Sequence, residues 1–85
     1  MMDKTQEIIL LQGLGGRIKE IRKRKGLSLT QLSHDCNMEK ASLSRIESGK
    51  VNISYLTLYR LSRCLDVGLH EFFKDGEGNI DNFEV

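Results

Sequence analysis

Ser28–Gly49, SLTQLSHDCNMEKASLSRIESG, is the stretch whose reading decides the fold. Leu29, Leu32 and Cys36 recur at i, i+3, i+7, and Leu43 and Ile46 at i, i+3, which is the spacing of one helix face and not of a strand. Ser28 with Gln31 three residues on has the form of a capping box, so the first helix has a defined start. Asn37 lies between the two periods. It is one of the few non-glycine residues that tolerates the left-handed backbone a sharp helix-to-helix turn requires. Gly49 follows the last periodic residue and suits a left-handed C-terminal cap.

Two short amphipathic helices joined by a turn of three or four residues predict a helix-turn-helix, whose second helix enters a DNA major groove. That second helix spans 40–48. With Leu43 and Ile46 facing inward, Lys40, Ala41, Ser42, Ser44 and Arg45 are left outward or near its N-terminal end. They are the candidate base-contacting residues. Arg and Lys donate to guanine O6 and N7, Ser to several bases, and the Ala methyl group meets thymine.

Outward toward the N-terminus, residues 14–25 read as a helix with Leu14, Ile18 and Ile21 inward and Gly26 as its stop. Its other face carries Arg17, Lys19, Lys23, Arg24 and Lys25. Such a face complements the dipole at the helix C-terminus, and beside a helix-turn-helix it also suits contact with phosphates, for which Arg17 is the candidate. Arg22 lies nearer the apolar side, in a position to be a buried partner for an acid. Residues 1–13 read as an arm or short helix followed by a break, because Gly13, Gly15 and Gly16 each weaken a helix by roughly 1 kcal/mol.

Outward toward the C-terminus, Ser54 is the expected cap of a helix over 55–65 with a core stripe of Leu58, Leu61 and Leu65. Leu56 and Tyr59 fall on a different face, and with Phe73 they are the candidate dimer patch. Gly68 starts a last short helix in which Leu69, Phe72 and Phe73 close the core, with Val67 and Phe72 placed as a hydrophobic staple. Residues 74–85, KDGEGNIDNFEV, lack any period and read as an acidic, mobile tail.

The chain of 85 residues is long enough for one modest core, and proline is absent, so an all-α domain is expected. The net charge of +1 hides an asymmetry. Residues 1–65 hold twelve Lys and Arg against six Asp and Glu, whereas residues 66–85 hold one Lys against six acids. A basic body suits a polyanionic partner. No segment reads as a secretory signal or membrane span. Cys36 and Cys64 lack CxxC spacing and read as reduced thiols of a cytoplasmic protein. With His34 and His70 they still fail the spacing of a metal site, so neither a metal nor a cofactor is expected. No acid–base pair, activated nucleophile or nucleotide loop points to an enzyme, and nothing points to a small-molecule ligand.

With these elements placed, RIKEIRKRKGLSLTQLS, SLSRIESGKVN and LTLYRLSRCLDVGLHEFF together resemble the phage Cro and repressor-type (XRE) helix-turn-helix family. The resemblance covers residues 14–73. It implies a compact five-helix bundle of the lambda-repressor-like type, with helices 2 and 3 as the helix-turn-helix. It also implies that Lys40, Ala41, Ser42 and Arg45 read bases, and that Ser28, Leu29, Ser48, Lys50 and Asn52 hold phosphates. Arg22 and Glu47 occupy the positions of the family's structural ion pair. Leu29 stands where many members carry Gln, so only its backbone N–H is available to a phosphate. Glu39 replaces a good N-cap at the recognition helix, where its charge is expected either to repel phosphate or to cap weakly through its carboxylate.

The expected function is therefore a sequence-specific transcriptional regulator that binds double-stranded DNA as a homodimer on a two-fold symmetric operator. Repressors and controllers of restriction–modification operons are the expected kinds. The alternative is a protein-interaction module or antitoxin-like partner that keeps the fold without reading DNA by itself.

Overall fold

The computed structural model describes residues 2–74, which form four α-helices and one 3₁₀ helix. They are α1 (Lys4–Arg24), α2 (Leu29–Asp35), α3 (Lys40–Glu47), α4 (Tyr55–Cys64) and the 3₁₀ helix Leu69–Phe73. Among the described residues there is no strand, and no helix is long and apolar enough to cross a membrane. Among the described residues the bundle thus has four α-helices rather than five. The last element has only five residues between Gly68 and Lys74, a length at which the tighter 3₁₀ form is common. It still delivers Phe72, fully buried, to the core. Residues 75–85 of the acidic tail lie outside the described residues.

The expected break in the first helix is absent. Asp3 accepts from the Gln6 N–H and the Gln6 side chain accepts from the Asp3 N–H, a capping box that starts α1 ten residues before Leu14. The helix then runs through Gly13, Gly15 and Gly16. Gly15 is not a joint but a contact. A Cβ there would collide with the carbonyl oxygen of Ile46 and stand 2.6 Å from that of Glu47. Beside it, a Cβ at Gly49 would stand 2.6 Å from the Gln12 Cα. The lost helix propensity is thus offset by backbone-to-backbone packing of α1 on the last turn of α3.

Ile18 and Ile21 of α1, Leu32 of α2, Leu43 and Ile46 of α3, and Leu58 and Leu61 of α4 bury together around Phe72. Each α-helix ends in the same way. Gly26, Asn37, Gly49 and Asp66 have φ of 77°, 55°, 73° and 58°, and the N–H after each bonds back to a carbonyl five residues earlier. These are Schellman endings, and they make every inter-helix turn sharp.

The expectation of two reduced thiols is also corrected. Cys36, at the C-terminal cap of α2, and Cys64, the last residue of α4, form a disulfide with Cα atoms 5.7 Å apart. They are 28 residues apart in the chain, so only the folded arrangement of α2 and α4 brings them together.

Candidate nucleic-acid interface

α3 is fixed from behind and open in front. Its inner side is Leu43, Ile46 and Glu47, all buried. Glu47 takes two hydrogen bonds from Arg22 of α1, Nε to Oε2 at 2.7 Å and Nη2 to Oε1 at 3.0 Å. The remaining guanidinium nitrogen, Nη1, donates to the Leu27 carbonyl at 2.9 Å. Burying a charge costs several kcal/mol, roughly, unless it is paired and hydrogen-bonded, and here both conditions are met.

The outer side of α3 carries Lys40, Ala41, Ser44 and Arg45, all exposed, while Ser42 is half-buried. Asn37, with its left-handed backbone, and the Met38 N–H donating to the Ser33 carbonyl at 2.9 Å set the angle between α2 and α3. Beyond α3, Lys50 and Asn52 are exposed on the connection to α4. Ser42, Arg45 and Asn52 share a shallow depression of about 420 Å³ with Ser54 and Thr57. Sequence reading did not group the last two with the recognition helix. They sit there because Ser54 caps α4 by accepting from the Thr57 N–H at 3.1 Å.

At the start of α2, the Ser28 oxygen accepts from the Gln31 N–H and the Gln31 side chain accepts from the Ser28 N–H. The capping box leaves the exposed Ser28 hydroxyl with its proton unspent. The side chain of Leu29 packs against the core, which leaves its N–H as the polar group at that position.

Three sequence expectations change. Arg17 is not an open phosphate contact. Its side chain is only 12 % exposed, donates from Nε to the Glu71 carbonyl at 2.8 Å, and pairs with the carboxylates of Glu71 and Glu20. It ties α1 to the 3₁₀ helix. In return the Arg17 guanidinium, bonded to Glu20, holds that carboxyl below the usual carboxylate range. The exposed Ser48 hydroxyl donates to the Ser44 carbonyl of its own helix at 2.8 Å, so its proton is shared with that carbonyl rather than free. Glu39 makes no side-chain cap bond, unlike Asp3, Ser28 and Ser54 at the other α-helix starts. Its longer side chain does not hold the short return geometry that Ser and Asp adopt.

Leu56 is 71 % exposed, Tyr59 48 % and Phe73 49 %, and Tyr55 joins them at 66 %. Tyr55 was missed by periodicity because it is the first residue of α4 and lies beyond the apolar stripe. Among the described residues no group of three or more His, Cys, Asp or Glu is arranged to hold a metal ion.

A short helix locked at its back, with small, cationic and hydroxyl side chains in front and a capped helix before it, defines a helix-turn-helix domain. The family model described as helix-turn-helix matches residues 18–72, and the chain belongs to that family, the Cro/repressor-type (XRE) one. It is 38 % identical over 63 residues to the HTH-type transcriptional regulator SinR of Bacillus licheniformis, covering 73 % of this chain and 57 % of that protein. The chain thus spans little more than half the length of that relative. It is 34 % identical over 64 residues to the control protein C.MunI of a Mycoplasma species, covering 74 % of this chain and 86 % of the relative. Among solved structures, SinR, the master regulator for biofilm formation, in complex with DNA superposes with a TM-score of 0.66 at 39 % identity, over 72 % of this chain and 98 % of that one.

Proposed function

We propose that this chain is a sequence-specific DNA-binding transcriptional regulator that acts as a homodimer on a two-fold symmetric operator. The observation that carries the reading is the contrast between the two sides of α3. The Arg22–Glu47 pair and the Gly15 contact immobilise its back, while Lys40, Ala41, Ser44 and Arg45 stand free in front. A rigid helix with those side chains along its outer face is what base readout requires. Lys40, Ala41, Ser42, Ser44 and Arg45 are the base-contacting set. The Ser28 hydroxyl, the Leu29 N–H, Lys50 and Asn52 are the phosphate-contacting set. Relatives that are transcriptional regulators and restriction–modification control proteins support the same reading.

Homodimerisation is favoured by Tyr55, Leu56, Tyr59 and Phe73, which leave large apolar side chains in water on the monomer. In a dimer the two recognition helices lie about 10 base pairs apart on one face of the duplex. The same patch is the one observation that favours a protein-interaction module. Fluorescence anisotropy with selected duplexes at two salt concentrations separates the readings. Affinity that falls steeply with salt, with a preference among sequences, is expected. No binding to any duplex at about 50 mM salt defeats the regulator reading.

A further inference from the structure

The helix-turn-helix meets α4 through core side chains and one covalent tie, the Cys36–Cys64 disulfide. Cys36 stands directly before Asn37, the residue whose left-handed backbone makes the turn, and Cys64 ends α4. A Cα separation of 5.7 Å lies in the range that a disulfide spans without backbone movement.

In the closed form Cys36 Sγ lies 3.6 Å from the Arg60 carbonyl oxygen on α4, and Cys64 Sγ lies 3.7 Å from the Asp35 carbonyl oxygen on α2. A side-chain rotation that parts the sulfurs on reduction leaves a carbonyl acceptor on the opposite helix near each thiol. Cys36 is buried, whereas Cys64 is half-exposed, so a reagent from solution reaches Cys64 first.

We propose that Cys36 and Cys64 form a reversible thiol–disulfide switch that sets how firmly the helix-turn-helix is held to α4. The closed loop, with a sequence separation of 28, contains the whole of α3, so closing it restricts the freedom of the recognition helix in opened states. The co-reactant is a low-molecular-weight disulfide of the glutathione class. The Cys64 thiolate attacks it, forming a mixed disulfide and releasing one small thiol. Cys36 then attacks the Cys64 sulfur, closing the protein disulfide and releasing the second small thiol. The two protein thiols are oxidised, the small disulfide is reduced, and the two protons pass to the released thiols. The effect on DNA rests on the function proposed above: the oxidised domain presents α3 from a fixed frame and binds more tightly.

The purified full chain, equilibrated in oxidising and reducing mixtures of glutathione, tests this. Intact mass after alkylation reads the disulfide, and thermal unfolding reads its effect. An intramolecular disulfide that forms and reverses is expected, with a melting temperature at least about 10 °C higher in the oxidised form. Cys64→Ser, at the more exposed sulfur, is expected to lose the difference between the two buffers. Equal melting temperatures, a disulfide between two chains, or an unchanged difference in Cys64→Ser overturns the proposal. A duplex recovered by selection should be bound about fivefold or more tightly by the oxidised chain. Equal affinity in both forms leaves only a structural cross-link and overturns the switch. Absence of binding to any duplex in both buffers refutes the DNA reading alone, since mass and melting still decide the switch.

Discussion

Arg22 and Glu47 join three parts of the domain through one guanidinium. Two of its nitrogens hold the carboxylate at the end of α3, and the third holds the Leu27 carbonyl in the turn that leads into α2. With 8 % and 6 % of their side chains exposed, neither partner has water as a substitute. Glu47→Ala leaves a buried cation unpaired and is expected to cost about 3–5 kcal/mol. Arg22→Met with Glu47→Leu removes both charges and should cost less than either single change. Urea unfolding of the parent, Arg22→Met, Glu47→Leu and the double variant measures the difference, and a pair that behaves additively contradicts the coupling.

The glycines of α1 divide by what faces them. Gly16 has open space around its missing Cβ, so Gly16→Ala should stabilise the helix by about 0.5–1 kcal/mol. Gly15 faces the backbone of α3, and Gly15→Ala should destabilise by about 1–3 kcal/mol through overpacking. Thermal unfolding shifts of the same sign in both variants would contradict this division.

Arg45 and Lys50 are both exposed cations beside the groove face, with different expected roles. Arg45→Ala should cost about 1–3 kcal/mol of binding and relax preference at one base position. Lys50→Ala should weaken all duplexes alike and reduce the salt slope by about one. Anisotropy titrations on an operator and its single-base variants distinguish the two.

Arg17 gives the opposite expectation. Because its guanidinium is bonded to Glu71 and Glu20, Arg17→Ala should lower stability by roughly 1–3 kcal/mol. The dependence of binding on salt should stay unchanged. A shallower salt slope in this variant would return Arg17 to the phosphate-contacting set.

Leu56→Lys and Tyr59→Lys place charges in the exposed apolar patch. Sedimentation equilibrium should show the parent chain as a dimer and both variants shifted to monomer, with folding preserved. A parent that remains monomeric at high concentration would remove the homodimer from the proposal.

What was legible in the chain was what acts locally. The Ser28–Gln31 box, the left-handed Asn37 and the Gly49 ending depend on residues within one turn of each other, and each is present. Arg22 stood out because its helical phase conflicted with its charge. What escaped reading depends on partners far along the chain. Gly15 looked like a weakness until Ile46 and Glu47 were set against it. Arg17 looked solvent-facing until the 3₁₀ helix brought Glu71 over it. The Cys36–Cys64 contact needed the relative placement of two helices that no local spacing encodes. Asp66 adopts a left-handed ending that its residue type permits but does not announce.

The contact at Gly15 reaches further than stability. A helix as short as α3 moves as a rod, so a displacement of its hidden last turn is also a change of aim for Lys40 and Arg45 at its front. A substitution at a position that never meets DNA would then alter which sequences are preferred. Second-site revertants of operator mutations should accordingly arise on α1, at the interior of the domain, as well as among the residues proposed to contact bases.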